Sequence, residues 1–260
     1  MTAVHESLSE AAAAGLARLD AQLLLLHTLG RPAADRGWLI AHDGDRLPEE
    51  LEVAFRGLCT RRAAGEPLAY LVGEKEFFGL ALAVDARVLV PRPETEHLVE
   101  WALEVLAGVT QPRIVDLGTG SGAIALALAS RLPDARIEGV DVSGPALDVA
   151  VTNARALGLP VVFHRGDWLQ ARTGPYDLIV SNPPYVAAAD PHLAALTHEP
   201  LSALASGPDG LDALRAIAGQ APDRLRPGGW LLLEHGHDQA VAVRAPVSYT
   251  HLTLPTIYSV

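Results

Sequence analysis

Residues 113–122 read Arg-Ile-Val-Asp-Leu-Gly-Thr-Gly-Ser-Gly, an apolar run that breaks into three alternate glycines. Arg113–Leu117 has the length and the apolar content of a buried strand, and a helix is expected over 121–131. Glycines at such a junction let the backbone approach a ligand closely and aim the helix N-terminus at it. The spacing of Gly118, Gly120 and Gly122 is G-x-G-x-G rather than the G-x-G-x-x-G of dinucleotide sites.

Strands and helices alternate downstream of this loop. Strands are expected at Arg136–Asp141, Val161–His164, Asp177–Ser181 and Trp230–Glu234, with helices over 144–157 and 209–225 between them. A further helix is expected to begin at 238–244. This order implies an α/β fold: a parallel sheet with helices on both faces. Upstream, residues 1–70 read as a small helical domain. Leu16, Leu19, Leu23 and Leu26 keep a helical spacing that Ser7 or Ser9 can cap, and Gly30-Arg31-Pro32 ends it. Phe77–Val84 alternates around Gly79, which predicts a β-hairpin within a linker of 71–90, with the boundary near residue 85. Pro91-Arg-Pro-Glu-Thr-Glu96 then leads stiffly into a helix over 95–107.

Composition narrows the class of protein. The chain has 260 residues, 49% hydrophobic and 20% charged, as expected of an ordinary globular protein rather than a disordered one. A chain of this length buries roughly 70–75% of its unfolded surface and needs no covalent staples. The single Cys59 excludes an internal disulfide or a cysteine-based zinc cluster. Twenty basic against 31 acidic side chains give a net charge of −11, which argues against gripping duplex nucleic acid by its phosphates. With no targeting segment and no apolar run long enough to span a bilayer, a cytoplasmic protein is expected.

Chemistry-bearing residues gather at the strand ends, where open α/β sheets bind ligands. Asp141 ends the second strand, where a carboxylate can accept both hydroxyls of a ribose. Asp167 and Trp168 follow the third and can bracket an adenine ring. The implied ligand is adenosine with a short charged tail. Asn182-Pro183-Pro184-Tyr185 follows the fourth strand. Two consecutive prolines remove two N–H donors and stiffen the loop. A planar NH2 group can donate one hydrogen to the Asn182 side chain and one to the Pro183 carbonyl, with Tyr185 packed on its plane.

These motifs resemble the class I S-adenosylmethionine-dependent methyltransferases that modify planar amino groups, with a Rossmann-like sheet. More narrowly, Tyr70–Gly79, Val90–Glu96, His198-Glu199-Pro200 and Leu231–Gly236 resemble the PrmC/HemK family, which methylates a glutamine of bacterial release factors. The resemblance runs from the N-terminal helices to about residue 245. It implies S-adenosylmethionine as cofactor, contacted by Gly118, Thr119, Gly120, Ser121, Gly122, Asp141 and Trp168, with Asp167 and Asn182 beside them. It implies Asn182, Pro183, Pro184 and Tyr185 as the holders of the substrate glutamine, with Asn182, Pro183 and Tyr185 closest to the chemistry. The implied partners are class I peptide chain release factors, methylated in their GGQ motif, with residues 1–70 recognising them. No metal, duplex nucleic acid or membrane is expected to take part.

Two other functions fit the motifs less well. An adenine-N6 nucleic-acid methyltransferase needs a flipped base and a basic surface. A non-catalytic S-adenosylmethionine-binding scaffold does not explain the intact Asn-Pro-Pro-Tyr loop. Glu234-His235-Gly236-His237-Asp238 lacks metal-ligand spacing. Arg61 and Arg62 read as a solvated face, His192 and His198 as loop residues, and Arg92 and Glu94 as neighbours of the cofactor. The last fourteen residues, 247–260, contain no Ala, Gly, Arg or acid. This break suggests a non-native tail replacing a final antiparallel strand pair, so the methyltransferase domain of 91–246 is expected to be truncated and to carry an exposed apolar edge.

Overall fold

The computed structural model describes residues 2–170, 172–240 and 242–243, together with the backbone of 257–258. The chain divides into two compact units, Met1–Gly73 and Glu74–Val260. In the first, α1 (Val4–Ala13), α2 (Arg18–Thr28), α3 (Arg36–Ala41), α4 (Glu49–Ala63) and α5 (Leu68–Val72) surround a core of Leu24, Leu25, Leu26, Leu39 and Phe55. Gly15, at φ +90°, breaks what reads as one amphipathic run into α1 and α2. As a result Ser7 lies buried within α1 rather than capping α2, whose N-cap is Ala17, and Leu19 is 49% exposed.

The second unit opens with a hairpin of β1 (Glu74–Phe77) and β2 (Leu80–Ala83), turning at Phe78–Gly79. Phe77 and Leu82 are buried in this unit's core, so the hairpin is packed here as a structural element. A 3-10 turn, Pro93–Thr95, leads into α6 (Glu96–Val105). Then follow β3 (Arg113–Leu117), α7 (Ala123–Arg131), β4 (Arg136–Asp141), α8 (Gly144–Leu157), β5 (Val162–Arg165), β6 (Tyr176–Ser181), α9 (Asp212–Gln220) and β7 (Leu225–His235). The sheet order is β5-β4-β3-β6-β7-β8, where β8 is Ile257–Tyr258, and every pairing is parallel. The expected tail lies outside the described residues except for β8, whose backbone pairs with Glu234–His235.

Side-chain alternation divides the sheet's two faces. Ile114, Leu178, Val180 and Leu232 pack with α6 and α7, while Val115, Ile179, Leu231 and Leu233 pack with α9. Helices therefore cover both faces, as the strand–helix alternation implies. The α9 helix is shorter than the apolar spacing predicts. Pro222, lacking an N–H, follows it, and the chain re-enters the sheet at Leu225. Between Tyr176↔Leu225 and Leu178↔Trp230 the ladder shifts register, which accommodates Arg226–Gly229.

The order of strands reverses beside β3: the chain runs outward through β4 and β5, then returns to place β6 on the other side. Such a reversal opens a crevice beyond the strands' C-terminal ends. Backbone approach there depends on Gly139, which pairs with Asp116 and Phe163. A Cβ at this position would stand 2.6 Å from Phe163 Cδ1 and 3.0 Å from Thr119 Oγ1. Gly139→Ala is expected to lower stability by about 1–3 kcal/mol through overpacking. Denaturant titration of both proteins checks this, and an unchanged midpoint would contradict it.

Candidate active site

The glycine loop is tied to the neighbouring strand before it meets any ligand. Gly118 N and Thr119 N both donate to the Val140 carbonyl, at 2.8 and 3.0 Å, and Gly120 N donates to Asp141 Oδ2 at 2.9 Å. Gly118 takes φ +67°, and a Cβ on it would meet the Trp168 ring at 3.5 Å, so the indole lies against the loop's backbone. Asp141 Oδ1 accepts the Ser143 N–H at 2.8 Å, and Ser143 caps α8. Each oxygen of Asp141 keeps a further lone pair for a hydroxyl. Burial pushes the Asp141 carboxyl upward, opposed by these backbone N–H groups.

A cavity of about 180 Å³ opens beside this loop. Gly118, Gly120, Asp141, Asp167, Trp168, Asn182 and Pro184 line it. Thr119 and Ser121 are buried behind the wall, and Gly122 serves as the N-cap of α7. Pro183 is buried as well. Arg87–Leu89, Ser202 and Ala203 supply walls that sequence reasoning missed, and Pro200 of the His198-Glu199-Pro200 stretch lines the cavity beside them. Glu199, next to Pro200, ties the two stretches together: its carboxylate accepts Val90 N at 3.1 Å and Arg92 Nη2 at 2.5 Å.

The Asn182–Tyr185 loop leaves β6 beside β3, where Ser181 Oγ donates to the Leu117 carbonyl at 2.6 Å. Asn182 Nδ2 donates to Thr95 Oγ1 at 3.0 Å, and Thr95 Oγ1 donates to Glu234 Oε2 at 2.8 Å. The Tyr185 hydroxyl donates to Glu234 Oε1 at 3.3 Å, so its polar end faces the sheet rather than the cavity. Glu234 is 1% exposed, and burial pushes its carboxyl upward with the nearby Glu94 charge adding to the effect. Neither Thr95 nor Glu234 stands out in the sequence as a partner of Asn182.

Asp116 is another acid that motif reading passed over, although an acid inside an apolar strand is itself a signal. It is fully buried, its Oδ2 accepts Thr119 Oγ1 at 2.6 Å, and its Oδ1 has no partner among the described residues. Burial pushes its carboxyl up to about 7. Other charged and histidine side chains singled out in the sequence are engaged with neighbours. Arg61 pairs with Glu66, Arg62 with Asp20, His192 with Asp190, and His235 Nδ1 contacts the Gly236 carbonyl. No group of His, Cys, Asp and Glu among the described residues is arranged to hold a metal ion. No described helix is long and apolar enough to cross a membrane.

Comparison with known proteins gives this geometry its family. A family model described as the PrmC N-terminal domain matches residues 3–73, and the Methyltransferase small domain matches residues 98–241. A release factor glutamine methyltransferase of Xylella fastidiosa (strain Temecula1) is 51% identical over 242 residues, covering 92% of this chain and 87% of that protein. The chain belongs to the release factor glutamine methyltransferase family. The Bordetella pertussis member is 52% identical over 235 residues, covering 89% of this chain and 86% of its own. Among solved structures, a SAM-dependent methyltransferase from Agrobacterium tumefaciens aligns with a TM-score of 0.51 at 18% identity, over 70% of this chain and 59% of that one. The hMettl16 catalytic domain aligns with a TM-score of 0.54 at 18% identity, over 74% and 73%. These likenesses show the fold.

As a member of the release factor glutamine methyltransferase family, the protein is an enzyme dependent on S-adenosylmethionine. The residues present fit that cofactor. Asp141 has lone pairs to spare, it shares one cavity with Trp168, and the indole lies against a glycine without a side chain.

Asp116 also makes the family member's stability depend on pH. Its carboxyl titrates near 3.8 in the unfolded chain and near 7 when folded, so between those values the folded state keeps a proton that the unfolded state releases. Its contribution is therefore present in full below the lower value and is lost as pH rises towards the upper one. Asp116→Asn, which mimics the protonated acid, is expected to flatten this part of the stability curve. Denaturation midpoints measured from pH 4 to 8 without ligand provide the test, and parallel curves for the two proteins would contradict it.

Proposed function

We propose that the enzyme transfers the methyl group of S-adenosylmethionine to the side-chain amide nitrogen of the glutamine in the GGQ motif of class I peptide chain release factors. The observation that carries this reading is that Asn182 and Pro184 share one cavity with Gly118, Asp141 and Trp168. A group held by Asn182 thus lies next to whatever the glycine loop holds. The names of relatives about half identical over most of the chain favour a protein glutamine over an adenine as acceptor.

Bound S-adenosylmethionine supplies an electrophilic methyl group on a positively charged sulfur. In the proposal, Asp141 accepts ribose hydroxyls, Trp168 and Asp167 flank the adenine, and Gly118–Gly122 lets the ligand approach the backbone. Thr119, Ser121 and Gly122 act indirectly, by shaping the loop. An amide nitrogen is a poor nucleophile because its lone pair is delocalised into the carbonyl. Asn182 and the Pro183 carbonyl therefore act by orientation, accepting the two N–H bonds so that the nitrogen faces the methyl group. Pro184 and Tyr185 hold the loop's shape. Transfer forms an N–C bond, breaks the S–C bond and releases one N–H proton to solvent. Positioning of this kind supplies up to about 7–11 kcal/mol of barrier lowering. The helical domain of residues 1–70 is assigned to recognition of the release factor, 71–90 to the connection and 91–246 to catalysis. The match of residues 3–73 to a domain particular to this family supports the first assignment.

Mass spectrometry of a release factor incubated with the enzyme and cofactor is expected to find one added methyl on a glutamine. Label appearing on DNA or RNA instead would overturn the assignment. Asn182→Ala is expected to bind S-adenosylmethionine normally while losing about 100-fold or more in kcat. Turnover at the wild-type rate by this variant would remove Asn182 from the mechanism.

A further inference from the structure

The side-chain amide of Asn182 has two ends of nearly equal size and opposite hydrogen-bonding character. Accepting hydrogen from a substrate NH2 requires the oxygen, not the nitrogen, to face the cavity. Shape alone does not make that choice. We propose that Glu234, acting through Thr95, sets the orientation of Asn182 by a one-way relay of hydrogen bonds, and that both are positioning residues for methyl transfer. This inference rests on the reading of Asn182 as the holder of the substrate amide.

Ionised Glu234 is an acceptor only. It is buried in β7, and no basic side chain forms an ion pair with it among the described residues. Its Oε2 takes the hydroxyl of Thr95 at 2.8 Å. A threonine hydroxyl has one hydrogen, and here Glu234 receives it. Thr95 Oγ1 is then left with lone pairs alone towards its other neighbour, Asn182, at 3.0 Å. Only the NH2 end of Asn182 can satisfy it, and that same end also donates towards the Glu234 carboxylate itself. The oxygen is thereby turned away from Thr95, and it accepts no hydrogen bond among the described residues.

Reversing Asn182 would set its oxygen against the Thr95 lone pairs and its NH2 against the substrate NH2. Two hydrogen bonds would become two unfavourable contacts. The second oxygen of Glu234 takes the Tyr185 hydroxyl, so one carboxylate holds both ends of the Asn-Pro-Pro-Tyr loop. The relay joins residues 139 apart in sequence and 87 apart in sequence, through a 3-10 turn that no motif assigns to substrate binding. Thr95 is 4% exposed, which keeps water from offering it another proton.

The test uses the full chain with substitutions Thr95→Val, Thr95→Ser and Glu234→Gln. Thr95→Val keeps the shape and removes the hydroxyl, and Thr95→Ser restores it. Thr95→Val and Glu234→Gln are expected to lower kcat for a release-factor substrate about 10- to 100-fold. The Kd for S-adenosylmethionine, read by calorimetry, should stay within about threefold, and Thr95→Ser should recover most of the loss. Independently of turnover, the side-chain NH2 signals of Asn182 in the nitrogen–proton NMR spectrum should be well dispersed and protected from exchange in the wild type. They should remain so in Thr95→Ser and collapse towards the free-amide position in Thr95→Val. Full kcat in folded Thr95→Val, or unprotected Asn182 signals in the wild type, would overturn the relay. A wild-type enzyme with protected signals but no methyl on release factor would instead overturn the proposed substrate and leave the relay standing.

Discussion

The Val140 carbonyl accepts two consecutive N–H groups of the glycine loop, from Gly118 and Thr119. Because Val140 sits at the end of β4, that pair of bonds holds the end of β3 and the end of β4 at one level. Asp141 follows immediately, and its carboxylate takes the next free N–H of the loop, from Gly120. The loop, the acid and the start of α7 therefore form one unit. Parallel strands make this possible, since neighbouring C-terminal ends lie side by side. β6 joins the same level when Ser181 Oγ bonds to the Leu117 carbonyl, which delivers Asn182 to the cavity. Without the Val140 contacts, the other distances of the site would have no common reference.

Three carboxyl groups near this crevice, those of Asp116, Asp141 and Glu234, are pushed upward by burial. They differ in what surrounds them. Asp141 is compensated by backbone N–H groups, Glu234 by two hydroxyls and the Asn182 amide, and Asp116 only on one oxygen. The acidity of the chain as a whole, at −11, thus has a local counterpart inside the second unit, distinct from the ion pairs on its surface.

Local signals in the sequence were sufficient wherever the structure is local. The limits of β3, β4 and α8 follow from apolar runs bounded by Pro112, Gly118, Pro145 and Gly158. Gly118, Asp141, Trp168 and Asn182 were legible because each lies at or just past the end of a strand and the topology brings strand ends together. Legibility failed where a single residue interrupts a periodic pattern. Gly15 divides α1 from α2, and Pro222 separates α9 from an unexpectedly early β7. It failed again where partners are distant in the chain. Thr95 and Glu234 lie in recognisable stretches, but nothing in either stretch says that a hydroxyl and a carboxylate meet behind Asn182. Family resemblance identified the loop, and packing alone revealed what holds it.

The clasp made by Glu199 has a thermodynamic meaning beyond its two bonds. It fastens segments 109 and 107 residues apart, so the walls of the cavity are brought together when the chain folds rather than when a ligand arrives. The entropy of closing so long a loop rises only logarithmically with its length, and folding absorbs it once. A ligand entering afterwards finds walls that have already lost their freedom. Its own affinity is then spent on contacts rather than on ordering the protein, and the short, uncharged stretches at Val88–Leu89 and Ser202–Ala203 can serve as rigid surfaces without any distinguishing chemistry of their own.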